Sequence, residues 1–125
     1  MNKKRILLID DEVSFTRLLK LNLEQTGNYE VRTENWAEDA LAATKEFRPD
    51  LILLDVLMPR IFGGDVALQI KSDAQVKNTP IVFLTAAVRK ERVSEHDGII
   101  SGYPFLAKPV SVEEVIECIE KHLVK

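Results

Sequence analysis

An α/β domain, doubly wound around a five-stranded parallel sheet with five helices, is predicted by three observations. The chain holds three short unbroken apolar runs, Ile6 to Ile9, Leu51 to Leu54 and Ile81 to Leu84; helical periodicity fills the intervals; and the links are short. Runs without polar alternation suit strands buried on both faces, as in a parallel sheet. Alternating strands and helices joined by short links require right-handed crossovers, which place helices on both sides.

Each element has its own signal. After the first strand, Phe15, Leu18, Leu19 and Leu23 recur at helical spacing, and Gly27 ends that helix. Tyr29 to Thr33 is β-rich. Trp36, Ala40, Ala43 and Phe47 mark a second helix, with Trp36 as a packing anchor at its start, and Pro49 stops the chain before the third strand. Asp65 to Lys71 reads as a short helix before the strand Ile81 to Leu84. From Val88 to Pro104 apolar positions are sparse, so a short, poorly packed fourth helix is expected there. Phe105 to Ala107 forms the last strand, and because Pro104 cannot donate to a ladder, that strand is expected at a sheet edge with Pro104 at its start. Val112, Val115, Ile116, Ile119 and Leu123 make the final helix, opened by a capping box of Ser111 and Glu114.

Bulk properties narrow the function. A chain of 125 residues has the length of one domain, residues 1–125, and its 46% hydrophobic and 30% charged content argues against disorder. A net charge of −3 gives no basis for gripping a phosphate backbone, so a protein or a small anion is the expected partner and direct nucleic-acid binding is not. Cys118, the single cysteine, cannot form an internal disulfide and is read as core filler in a reducing compartment. The basic start is followed by too short an apolar run for a signal peptide, and no stretch reaches the ~18 apolar residues of a membrane span. A cytoplasmic location without membrane contact is expected.

The polar residues that end the strands carry the chemistry. Asp10 and Asp11 follow the first, Asp55 the third, Thr85 the fourth and Lys108 the fifth. In an open parallel sheet, ligands bind beyond these carboxyl ends. A lone aspartate at a strand end is more often a turn former or helix cap; five such residues in this order form a site. Three carboxylates ~4 Å apart repel by about 4 kcal/mol per pair at an effective dielectric near 20, so a cation is required among them, and Mg2+ suits few carboxylates with retained waters. Lys108 supplies the positive charge that a phosphoryl group needs, and Thr85 a hydroxyl donor.

Ile6-Leu7-Leu8-Ile9-Asp10-Asp11-Glu12, Leu51-Ile52-Leu53-Leu54-Asp55, Met58-Pro59, Leu84-Thr85-Ala86 and Lys108-Pro109 together resemble the receiver domains of two-component response regulators, a likeness that covers essentially the whole chain. The resemblance implies a flavodoxin-like fold of strand order 2-1-3-4-5. It also implies Asp55 as phosphoacceptor, with Mg2+ on Asp10, Asp11, Asp55 and the Leu57 carbonyl. Thr85 and Lys108 would hold the phosphoryl oxygens, and the Lys108–Pro109 bond would be cis. Phe105 stands where the family carries an aromatic that turns inward on activation; plain core packing is the other reading, and a ring without a hydroxyl favours an inward position at rest.

The implied function is acceptance of a phosphoryl group from a histidine kinase or histidine phosphotransfer protein, with catalysis confined to the domain's own phosphorylation and dephosphorylation. Downstream protein contact would use the fourth helix, fifth strand and last helix, in a monomer or weak homodimer. A phosphorelay intermediate, a receiver excised from a longer regulator and a non-phosphorylated adaptor are the alternatives. An aspartyl phosphatase would want a second Asp where Leu57 stands, and a flavin carrier a Gly- and Ser-rich loop where Asp11-Glu12-Val13 stands.

The pattern departs from the family at three points. Arg60-Ile61-Phe62-Gly63-Gly64 puts apolar residues beside the site, either as a docking knob or with Phe62 folded under the loop and Gly63 supplying an unusual backbone angle. Leu57 and Ala87 occupy positions that tune phosphoryl lifetime in the family, and since neither can position a water, slow loss of the group is expected. His96 and His122 are isolated and read as surface residues.

Overall fold

In the computed structural model, which describes residues 3–59, 61–86, 99–100 and 103–123, strands and helices alternate from the first apolar run onward. The elements are β1 (Lys4–Ile9), α1 (Val13–Gln25), β2 (Tyr29–Glu34), a 3-10 turn (Ala37–Asp39), α2 (Ala40–Phe47), β3 (Leu51–Asp55), α3 (Gly63–Lys71), β4 (Ile81–Thr85), β5 (Ile99–Ile100), β6 (Tyr103–Ala107) and α4 (Val112–His122). Sheet order is β2-β1-β3-β4-β6-β5. Five of the strands run parallel in the expected order 2-1-3-4-5, and the two-residue β5 pairs antiparallel with β6. Four α-helices lie among the described residues. The expected fourth helix, together with Ala87 and His96, falls outside them.

The unbroken apolar runs resolve into two faces of period two. Leu7, Ile9, Ile52, Leu54, Ile81 and Phe83 face α2 and α3, packing on Ala40, Ala43, Val66 and Ile70. Ile6, Leu8, Leu51, Leu53, Val82 and Leu84 face α1 and α4, packing on Leu19, Leu23, Val115 and Ile119. Helices therefore cover both sides, as the runs required.

The ends of the elements are chemically marked. Gly27 sits at φ 81° just beyond α1, a left-handed conformation that glycine adopts without strain, and Arg48 takes a similar φ of 53° after α2. Ser111 accepts a hydrogen bond from the Glu114 amide at 3.1 Å while the Glu114 carboxylate accepts one from the Ser111 amide at 3.0 Å, so the capping box is complete.

Four expectations are corrected. Trp36 is no packing anchor: it precedes a 3-10 turn instead of starting the helix, and its side chain is exposed. Leu18 is exposed too, while Thr16 occupies the buried stripe with Leu19 and Leu23. The last strand is not a bare edge, since Ile99 pairs with Pro104 and Ile100 with Tyr103, and Pro104 is its second residue. Gly63 begins α3 and does not take a positive φ; the chain needs glycine there because an added Cβ would lie 2.4 Å from the Asp55 carbonyl oxygen.

Candidate functional site

Strand register delivers the polar residues to one crevice. Ile9 pairs with Leu54, so Asp10 and Asp55 lie level, one step beyond; Asp55 pairs with Leu84, which puts Thr85 next in line; Thr85 pairs with Ala107, ahead of Lys108. The Lys108 amide donates to the Thr85 carbonyl at 2.9 Å, extending the ladder to the lysine itself, and the Lys108–Pro109 bond is cis. All the strand-end residues singled out in the sequence are therefore brought together.

Asp10 is fully buried, Asp55 is 5% exposed and Asp11 is half-buried. One carboxylate oxygen from each lies within 4.8 Å of the others. Asp10 accepts a hydrogen bond from the Lys108 ammonium at 2.6 Å and another from the Glu12 amide at 2.9 Å. Among the described residues, Asp55 accepts a single long bond, 3.4 Å from the Leu57 amide. The lysine is thus engaged by Asp10, and the Asp55 carboxylate has the poorer stabilisation of the two.

The electrostatics follow. Burial, reinforced by the Asp10 charge and only partly opposed by Lys108, pushes the Asp55 carboxyl up to about 7. Asp10 is also raised by burial, in spite of its bond to Lys108. Burial works against the Lys108 ammonium, but hydrogen bonds to Asp10 and Glu12 outweigh it and hold the lysine above its ordinary value. Such a cluster of crowded, oxygen-only donors fits a hard divalent cation, which would relieve the repulsion that raises Asp55.

The switch candidates lie behind this crevice. Thr85 is fully buried at the end of β4. Phe105, half-buried on β6, packs its ring 5.1 Å from that of Phe83, its partner in register, and Tyr103 meets the same ring edge-on at 5.1 Å. On the outer lip, Leu57 and Phe62 form an isolated antiparallel bridge and both are exposed, whereas Ile61 packs against the core. Phe62 therefore does not fold under the loop.

Two residues beside Lys108 were not legible in the strand-end pattern. Glu12 accepts a second bond from its ammonium at 3.0 Å, and the ring of Phe15 lies 4.5 Å from the nitrogen. Phe15 sits at helical spacing with the core leucines of α1, which disguises it as packing.

Cys118 is a free thiol, half-buried against the core, and burial pushes it up to about 11. His122, the last residue of α4, is lowered by burial and by the neighbouring Lys121. No described helix is long and apolar enough to cross a membrane.

The model of the response regulator receiver domain matches residues 6–120. The alkaline phosphatase synthesis transcriptional regulatory protein PhoP of Bacillus subtilis is 40% identical over 116 residues, 92% of this chain and 46% of that one. This chain thus spans under half of that relative's length. The polar-differentiation response regulator DivK of Brucella anthropi is 32% identical over 96% of both chains. Among solved structures, the chemotaxis protein CheY4 of Vibrio cholerae superposes with a TM-score of 0.82 at 29% identity, covering 98% of this chain and all of its own.

Proposed function

Since the chain belongs to the response regulator receiver family, we propose that Asp55 is its phosphoacceptor and that residues 1–125 work as one phosphorylatable switch. The observation that carries this reading is the buried, weakly bonded Asp55 carboxylate set among Asp10, Asp11 and Lys108. An Asp55 oxygen attacks the phosphorus of a phosphohistidine on a partner kinase or phosphotransfer protein; the new P–O bond forms as the P–N bond breaks, and the electron pair leaves on the imidazole nitrogen. Asp10, Asp11 and Asp55, with the Leu57 carbonyl, would hold Mg2+, whose charge offsets that of the phosphoryl oxygens. Lys108 turns from Asp10 toward the new group, and the Thr85 hydroxyl donates to it.

Engagement of Thr85 draws the end of β4 toward the site, and Phe105, already packed on Phe83, settles further inward. The face carrying β6 and α4 then changes its affinity for a downstream protein. Catalysis by this chain is confined to its own phosphorylation and dephosphorylation. A lone free cysteine and the lack of an apolar helix of membrane length among the described residues support a cytoplasmic setting. Leu57, with no polar side chain to orient a water, supports slow loss of the phosphoryl group.

Intact-mass spectrometry after incubation with acetyl phosphate tests the reading. A gain of one phosphoryl mass that requires Mg2+ and is absent from Asp55→Asn is expected. An unmodified parent, with acetyl phosphate and with an active kinase alike, would leave the adaptor reading in its place.

A further inference from the structure

We propose that Phe15 is a positioning residue for Lys108, holding the ammonium at the mouth of the site with a neutral ring while Glu12 competes for it as a releasable counter-charge. This rests on the phosphoacceptor reading and adds to it two residues that the strand ends do not supply.

Among the described residues, three groups hold the nitrogen: Asp10 at 2.6 Å, Glu12 at 3.0 Å and the Phe15 ring, whose centroid is 4.5 Å away. They differ in what they do to the lysine's charge. Asp10 is fully buried and stays in the site. Glu12 has a 59% exposed side chain, so its ion pair is screened by water and easily exchanged for a better anion. Phe15 carries no charge, and its attraction for the cation neutralises nothing. A lysine has a long flexible stem that is costly to order. Phe15, the third residue of α1, is packed against the core on the α1–α4 side, so its ring offers a fixed platform for that stem. When a phosphoryl group arrives on Asp55, Glu12 can swing into solvent, and the ring keeps the ammonium within reach with its full charge available.

The test combines spectroscopy with rates. In protein carrying 13C at the lysine ε carbon, the methylene bonded to an ammonium that sits 4.5 Å from the Phe15 ring centroid should resonate upfield of the other lysines, the signal being assigned by its loss in Lys108→Ala. Phe15→Leu should return the signal to the bulk position, and Phe15→Tyr should keep it upfield. With subsaturating acetyl phosphate and Mg2+, Phe15→Leu should be phosphorylated about fivefold more slowly, the scale of one cation–π contact, with Phe15→Tyr near the parent and Glu12→Gln faster than the parent. A Lys108 signal at the bulk position in the parent, or Phe15→Leu reacting at the parental rate, would overturn the proposal while leaving Asp55 as the acceptor. A parent that takes no phosphoryl group at all would overturn the reading of the site, and this proposal with it.

Discussion

Replacing Asp55 with asparagine should make the cation-free protein more stable at neutral pH, although it removes the central residue of the site. Burial and the neighbouring Asp10 raise the Asp55 carboxyl from 3.8 to about 7, so the native state holds a proton that the unfolded chain gives up near pH 4. Stability contributed by this group is then present below about pH 4 and is lost as pH rises to about 7, because over that interval the native state binds the extra proton. At about 1.4 kcal/mol per pH unit, the interval from 3.8 to about 7 comes to about 4 kcal/mol. That is a large share of the 5–15 kcal/mol typical of a domain. An asparagine cannot ionise, its amide oxygen can still accept from the Leu57 amide, and its neutrality also relieves Asp10. Urea titrations in EDTA should therefore show Asp55→Asn ahead of the parent by only about 1 kcal/mol at pH 4.5, with the lead growing to about 4 kcal/mol at pH 8 and an unchanged m value. Added Mg2+ should raise the parent and narrow the gap. A variant no more stable than the parent at pH 8 without divalent cations would refute the electrostatic account of this site.

Other perturbations probe the surrounding structure. Gly63→Ala would drive a methyl group to 2.4 Å from the Asp55 carbonyl, so α3 must shift; a loss of a few kcal/mol and weaker Mg2+ binding, read by denaturation and by titration of intrinsic fluorescence, are expected. Ser111→Ala breaks the capping box of α4 and should cost about 1 kcal/mol in urea denaturation while leaving phosphorylation intact. Burial raises the Cys118 thiol to about 11, so at pH 8 it should be alkylated by iodoacetamide at least tenfold more slowly in the native protein than in urea; equal rates would contradict its half-buried placement.

Strand ends were the legible part of this sequence. Runs such as Ile6 to Ile9 and Leu51 to Leu54 are long enough to identify strands and short enough to fix their last residue, so Asp10, Asp55, Thr85 and Lys108 could be placed in one crevice from spacing alone. Helix phase was less legible. Phe15 and Leu18 match the helical period as well as Thr16 does, yet Thr16 is buried and Leu18 is not, because the face of α1 that meets the core runs through Thr16, Leu19 and Leu23 and periodicity alone does not choose between neighbouring stripes. Trp36 misled for a related reason: the 3-10 turn from Ala37 to Asp39 offsets the helix, and the indole is left facing water. Glycines also hide their purpose. Gly27 reads directly as a helix stop, whereas Gly63 is dictated by the backbone of another element passing beside it. The Phe15–Lys108 contact joins residues far apart in the chain, and only the juxtaposition of α1 with the end of β6 brings them together.

Phosphotransfer mapped to a single residue tests the central claim most directly. The protein would be mixed with an autophosphorylated histidine kinase in Mg2+, quenched, and treated with borohydride, which reduces an aspartyl phosphate to homoserine. Peptide mapping should find homoserine at position 55 and unmodified aspartate at Asp10 and Asp11, with the label lost when EDTA replaces Mg2+. Homoserine at Asp10 or Asp11, or phosphate found on a histidine or serine, would contradict the assignment of Asp55 as the acceptor.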